Sequence, residues 1–188
     1  MDFIHQEYLQ DLSICDKLID YHKNTLSKGP GLIGIGNKII PELKDSIDCA
    51  ISHGDILDEY NYQLQKIVDH YIEKFKFCND NQPWMNIESP NIQYYKPGMG
   101  YKIWHCERGT SQPPNSTRHL AYMSYLNDVS DAGGTEFYYQ KLITKPQKGL
   151  TLIWPVDWTH THRGIVSPTQ EKYIITGWFS YYKLGEIK

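Results

Sequence analysis

The stretch 91-NIQYYKPGMGYKIWHCERG-109 decides the fold. Asn91 to Tyr95 reads as a strand, Lys96-Pro97-Gly98-Met99-Gly100 is a turn signal, and Tyr101 to Glu107 reads as a second strand. Downstream, His119 to Asn127, Thr135 to Gln140, Gly149 to Trp154 and Lys172 to Tyr182 also alternate, with Gly, Pro, Asn and Asp between them. Many short strands in succession predict an all-β sandwich or barrel.

Upstream the texture differs. Residues from about 2 to 78 read as helical, with Ile14, Leu18, Ile19 and Tyr21-His22 at helical spacing. A longer run follows in Ile56-Leu57, Tyr60, Leu64, Ile67-Val68, Tyr71-Ile72 and Phe75. Asp55 is placed to cap it, with Asp58 and Glu59 in its first turns. The pattern predicts a mainly β protein with N-terminal helices. Residues 91-183 are expected to form a double-stranded β-helix (jelly roll, cupin-like) core, and residues 1-90 a mainly helical support region, in one domain spanning 1-188. Between the helical stretches, Lys28 to Asn37 is a glycine-rich loop. Its Gly29-Pro30-Gly31-Leu32-Ile33-Gly34 has the letters GxGxxG, but no strand leads into it and no helix opens after it, so a dinucleotide site is set aside.

The 188 residues carry a formal charge of −3, which argues against binding nucleic acid mainly through phosphates. No apolar run approaches the roughly 20 residues of a membrane span. The polar N-terminus MDFIHQEYLQD reads as no secretory signal, so no membrane association and a cytoplasmic location are expected. Cysteines 15, 49, 78 and 106 form no CxxC pair and are expected as reduced thiols. Cys106 is expected to face away from its two neighbours as a small buried filler.

His105 and Glu107, two apart on a strand, share a face. A lone HxE is a weak signal. The chain adds His160 and His162 in Trp158 to Gly164, and Lys172 ten residues beyond His162. Two histidines and one carboxylate suit a non-haem ferrous ion with open positions. His162 is preferred for its spacing to Lys172, with His160 as the alternative. Lys172, Ile174, Thr176 and Trp178 fall on one face of the last strand. An ammonium there needs an anionic partner, for which the distal carboxylate of 2-oxoglutarate is the candidate and a protein carboxylate the alternative. The polar loop Arg108 to Thr117 is either a lid or a solvated connector.

The segments 93-QYYKPGMGYKIWHCE-107, 122-YMSYLND-128, 133-GGTEF-137, 146-PQKGLTLIW-154, 162-HRG-164 and 171-EKYIITGWF-179 occur in the order found in prolyl 4-hydroxylase-like Fe(II)/2-oxoglutarate-dependent dioxygenases. Over residues 91 to 182 the chain resembles above all the small stand-alone members encoded by bacteria and their phages. The resemblance implies iron ligands His105, Glu107 and His162, and Lys172 on the C5 carboxylate of 2-oxoglutarate. It also implies that the Tyr125 hydroxyl reaches that carboxylate and that Tyr95 is a pocket tyrosine. Trp178 would stand near the metal, with Thr176 and Tyr101 completing the pocket. Fe(II), 2-oxoglutarate and O2 are thereby implied, with ascorbate as reductant and succinate and CO2 as products. The substrate would be a prolyl residue of a peptide or protein, or else a small molecule, acted on by a monomer or homodimer in the cytoplasm, that of the host if phage-encoded. Glu107 stands where the family commonly has aspartate. A zinc-dependent or non-catalytic cupin-like binding module is the alternative.

Overall fold

The computed structural model describes residues 1–33, 38–80 and 82–182. Among them α-helix forms at the two stretches with helical apolar spacing, α1 (Ser13–Asn24) and α2 (Asp55–Lys74). The buried residues of α2, among them Tyr60, Leu64, Ile67 and Tyr71, make one stripe, as its periodicity requires. Asp55 is not the cap. Gly54, at φ 110°, holds that position, and Asp55 and Asp58 lie in the first turn where the helix dipole favours acidic groups.

Within residues 1–90, five short strands lie beside the two helices. These are β1 (His5–Tyr8), β2 (Gly29–Pro30), β3 (Lys44–Asp45), β4 (Ile47–Ala50) and β5 (Trp84–Asn86). They are short and none has a fully buried apolar face. Their strand form comes from pairing with partners far along the chain, which no local pattern reveals. Gly29 and Pro30 of the glycine-rich loop lie in β2, whereas residues 34–37, including the last glycine of the GxGxxG letters, fall outside the described residues.

The second half supplies β6 (Asn91–Tyr95), β7 (Gly100–Tyr101), β8 (Arg118–Tyr125) and β9 (Thr135–Phe137). β10 (Leu142–Ile143), β11 (Leu150–Pro155), β12 (His162–Gly164) and β13 (Lys172–Tyr181) complete it. All pairings are antiparallel. The major sheet runs β1-β11-β8-β13-β6-β4-β2 with β5 also on β13; a minor sheet runs β10-β9-β12, and β3 pairs with β7. This is the jelly-roll core. The expected strand Tyr101 to Glu107 contracts to β7 and one bridge, in which His105 and His162 exchange backbone hydrogen bonds of 3.0 and 2.9 Å.

Both faces of the major sheet are covered, so its central strands β8 and β13 are buried along most of their length. Leu120 and Tyr122 of β8 and Ile175 of β13 pack with Leu18 of α1 and Tyr60 and Leu64 of α2. Ala121, Met123 and Tyr125, with Ile174, face the other way, toward Phe137 and Trp154. Helices thus seal one face and leave the other to line an interior. No described helix is long and apolar enough to cross a membrane.

Candidate metal centre and anion pocket

β12 and the segment after β7 bring His162, His105 and Glu107 together, with one potential ligand atom from each within 4.8 Å of the others. Glu107 Oε1 lies 3.3 Å from His162 Nε2 and 3.6 Å from His105 Nε2. Each imidazole turns its Nδ1 to a backbone carbonyl, His105 to Ile103 at 3.0 Å and His162 to His160 at 2.9 Å. A carbonyl only accepts, so Nδ1 carries the proton and the neutral ring presents a lone pair at Nε2. Burial, then the neighbouring His162, lowers the His105 pKa and favours that neutral form. Three lone-pair donors therefore face one another, an arrangement that repels itself unless a cation stands between them. The donor set fits a divalent transition metal.

The other candidate histidine goes elsewhere. His160 sits in a 3-10 turn (Trp158–His160), and its Nε2 meets the Asp2 carbonyl at 2.8 Å. Tyr101 stacks on His105 with centroids 3.9 Å apart and planes 13° from parallel, which fixes the ring. The indole Nε1 of Trp178 donates to Glu107 Oε2 at 2.8 Å.

Lys172, 4% exposed, opens β13. Its Nζ donates to the Gly133 carbonyl at 2.8 Å and lies 3.5 Å from that of Ile165. It stands 4.9 Å from the ring centre of Tyr95. Burial pushes its pKa down from 10.5 to about 8, and no ion pair to a described carboxylate offsets this. The alternative of a protein salt bridge is therefore not realised among the described residues.

Residues 90–180 match the family described as the 2OG-Fe(II) oxygenase superfamily. They form a 2OG-Fe(II) oxygenase domain. The fold is shared with a viral collagen prolyl hydroxylase of Paramecium Bursaria Chlorella virus-1, determined as a 2OG complex, at 21% identity over 96% of this chain and 97% of that one, with a TM-score of 0.69. A Pseudomonas putida prolyl-4-hydroxylase matches at 15% identity over 96% and 94%, with a TM-score of 0.73. A Trichoplax adhaerens prolyl hydroxylase in complex with a hypoxia inducible factor peptide fragment matches at 18% identity over 96% and 84%, with a TM-score of 0.74. No curated protein matches the chain.

The oxygenase domain and the N-terminal segment together line one cavity of about 960 Å³. The triad, Lys172, Tyr95, Tyr101, Thr176 and Trp178 all face it. Tyr125 does not: fully buried, it engages the hydroxyls of Thr135 at 2.9 Å and Thr144 at 2.7 Å, and Thr135 is the residue on the wall. Half-buried Cys106, expected to turn away, also reaches the wall. The single bridge at His105 leaves this segment without the strict alternation of a strand. Gly109, Thr110 and Gln112 place the polar loop along the same cavity, while Arg108 anchors it to Asp157 through contacts of 2.6 to 3.0 Å.

Three wall residues, Thr135, Gln93 and Arg118, were not among those expected from the sequence. Gln93 accepts the Tyr95 hydroxyl at 2.5 Å. Arg118, like Lys172, is a charge opening a strand of buried residues, but alternation along that strand does not predict its inward aim.

Proposed function

We propose that the chain is an Fe(II)- and 2-oxoglutarate-dependent hydroxylase of an unactivated C–H bond, its substrate a prolyl residue in a peptide or protein. The convergence of three possible metal-ligand atoms in the same cavity as a buried lysine without a carboxylate partner among the described residues carries this reading. His105, Glu107 and His162 would hold the iron. Bound there, Fe(II) with 2-oxoglutarate and O2 supplies the oxidation that yields succinate, CO2 and a hydroxylated carbon, with ascorbate as the reductant that maintains the ferrous state.

The protein's own part is placement. Lys172 pairs with the C5 carboxylate, and the ring of Tyr95 beside it restricts where that carboxylate settles. Thr135, held from behind by Tyr125, offers a hydroxyl on the same wall. Met123, Trp154 and Ile174 make the floor apolar and exclude water. A zinc hydrolase would leave Lys172 without a role. Prolyl substrates are favoured by the fold shared with prolyl hydroxylases and by a cavity far larger than one dicarboxylate.

The test is succinate formation from 2-oxoglutarate under air with Fe(II) and ascorbate, with and without proline-containing peptides, in wild type and His162→Ala. Turnover that a peptide stimulates and the substitution abolishes is expected. Folded, iron-loaded protein that neither turns over nor binds 2-oxoglutarate would overturn the proposal.

A further inference from the structure

Glu107 has two carboxylate oxygens, and the structure treats them differently. Oε1 faces the two histidines, whereas Oε2 accepts the Trp178 indole N–H at 2.8 Å and lies 3.7 Å from Arg118 Nη1. The same Nη1 donates to the Glu107 backbone carbonyl at 3.1 Å. The Arg118 guanidinium lies 3.6 Å from the Trp178 ring centre, so the two side chains stack. Arg118 is fixed in turn by a bidentate pair with Glu88, at 2.7 and 2.6 Å, and its side chain is 9% exposed.

This arrangement depends on a defect in the sheet. β8 and β13 pair Ala121 with Trp178 and Leu120 with Phe179; the register then slips, and Arg118 rather than His119 stands opposite Ser180. Without the slip, alternation would send Arg118 to the helix side. The bulge turns it onto the face of Trp178, toward the triad.

We propose that Trp178 and Arg118 are positioning residues that tune this site to glutamate. They draw Oε2 away so that Oε1 alone is offered to a metal. This rests on the reading that the triad binds one. The extra methylene of Glu107, about 1.5 Å of reach, is what lets one oxygen meet the indole while the other meets the histidines. Aspartate, the commoner residue in the family the chain resembles, would have to give up one of the two contacts.

Cobalt(II) titration under argon tests this, reading both affinity and the visible absorption of the bound ion. Wild type should bind one equivalent, and His162→Ala should abolish it. Trp178→Phe keeps the ring and removes the N–H; it should weaken Co(II) binding 10- to 100-fold and change the spectrum. Glu107→Asp should weaken binding to a similar degree. The double variant should be no weaker than Glu107→Asp, because the shortened side chain no longer reaches the indole. Glu88→Gln, which frees Arg118 and leaves Trp178 and the triad intact, should also weaken binding, and stands in if Trp178→Phe does not fold. Unchanged affinity and spectrum in these variants, or fully additive losses in the double variant, overturn the inference while wild-type binding still upholds the metal site. Absence of His162-dependent binding in wild type overturns the metal site itself.

Discussion

Replacing Lys172 by methionine separates anion recognition from stability, because the two effects have opposite signs. The amine is buried, and its pKa falls from 10.5 to about 8. At about 1.4 kcal/mol per pH unit, that fall means the folded protein without its anion bears a cost of roughly 3 kcal/mol. The folded pKa lies below the unfolded one. The full cost therefore applies below pH 8, where both states are protonated, and it is relieved as pH rises from about 8 to 10.5. Methionine removes the charge but leaves the Gly133 carbonyl, now at 2.8 Å from Nζ, without its donor. An unsatisfied buried carbonyl costs about 1–3 kcal/mol. At pH 7 the variant should thus be more stable than wild type by about 1 kcal/mol, and near pH 10 the order should reverse. Binding moves the other way. Breaking a buried charge pair costs about 3–5 kcal/mol, so 2-oxoglutarate affinity should fall at least about a hundredfold. Wild-type affinity should itself weaken above pH 8 as the amine loses its proton. Urea unfolding at pH 7 and 10, with calorimetric titration of 2-oxoglutarate into Mn(II)-loaded protein, reads both effects. A folded Lys172→Met variant that binds 2-oxoglutarate as tightly as wild type would refute the reasoning.

The two histidines of the 3-10 turn and β12 should behave differently. His162→Ala should eliminate metal binding, whereas His160→Ala should leave metal affinity intact in a metal titration and cost about 1 kcal/mol of stability through its lost hydrogen bond to Asp2. Gly177→Ala should destabilise by about 1–3 kcal/mol in urea, since the added methyl would sit 2.2 Å from the Tyr122 hydroxyl, itself held by Asn86 at 2.7 Å. His70 has its pKa raised, first by its hydrogen bond to Glu7, so Glu7→Gln should bring the His70 imidazole titration down toward 6.5 in an NMR pH series.

What the sequence disclosed, and what it withheld, follows from how local each determinant is. His105, Glu107 and His162 were legible because few residue types bind a metal, and Lys172 because an ammonium inside an apolar strand calls for an anion. β6, β8, β11 and β13 were legible because each is apolar enough to announce itself. β1, β4 and β5 were not, since short, partly exposed strands are strands only by virtue of their neighbours. Arg118 was withheld for a related reason: its inward aim arises from a one-residue slip against β13, and counting alternation along β8 sends it the wrong way. The resemblance placed the Tyr125 hydroxyl in the pocket, whereas two threonines intercept it one layer behind the wall. Even the HxE reading reached its result by a different route. The i, i+2 rule assumes a strand, yet the backbone here makes one bridge at His105 and then turns, with Glu107 N–H bonded to the Val156 carbonyl at 3.1 Å. The carboxylate arrives where it does because Trp178 and Arg118 receive one of its oxygens. The candidate ligands are thus written in residue types, but the aim of the carboxylate is written in the pairing of β8 with β13, where Arg118 and Trp178 are brought side by side.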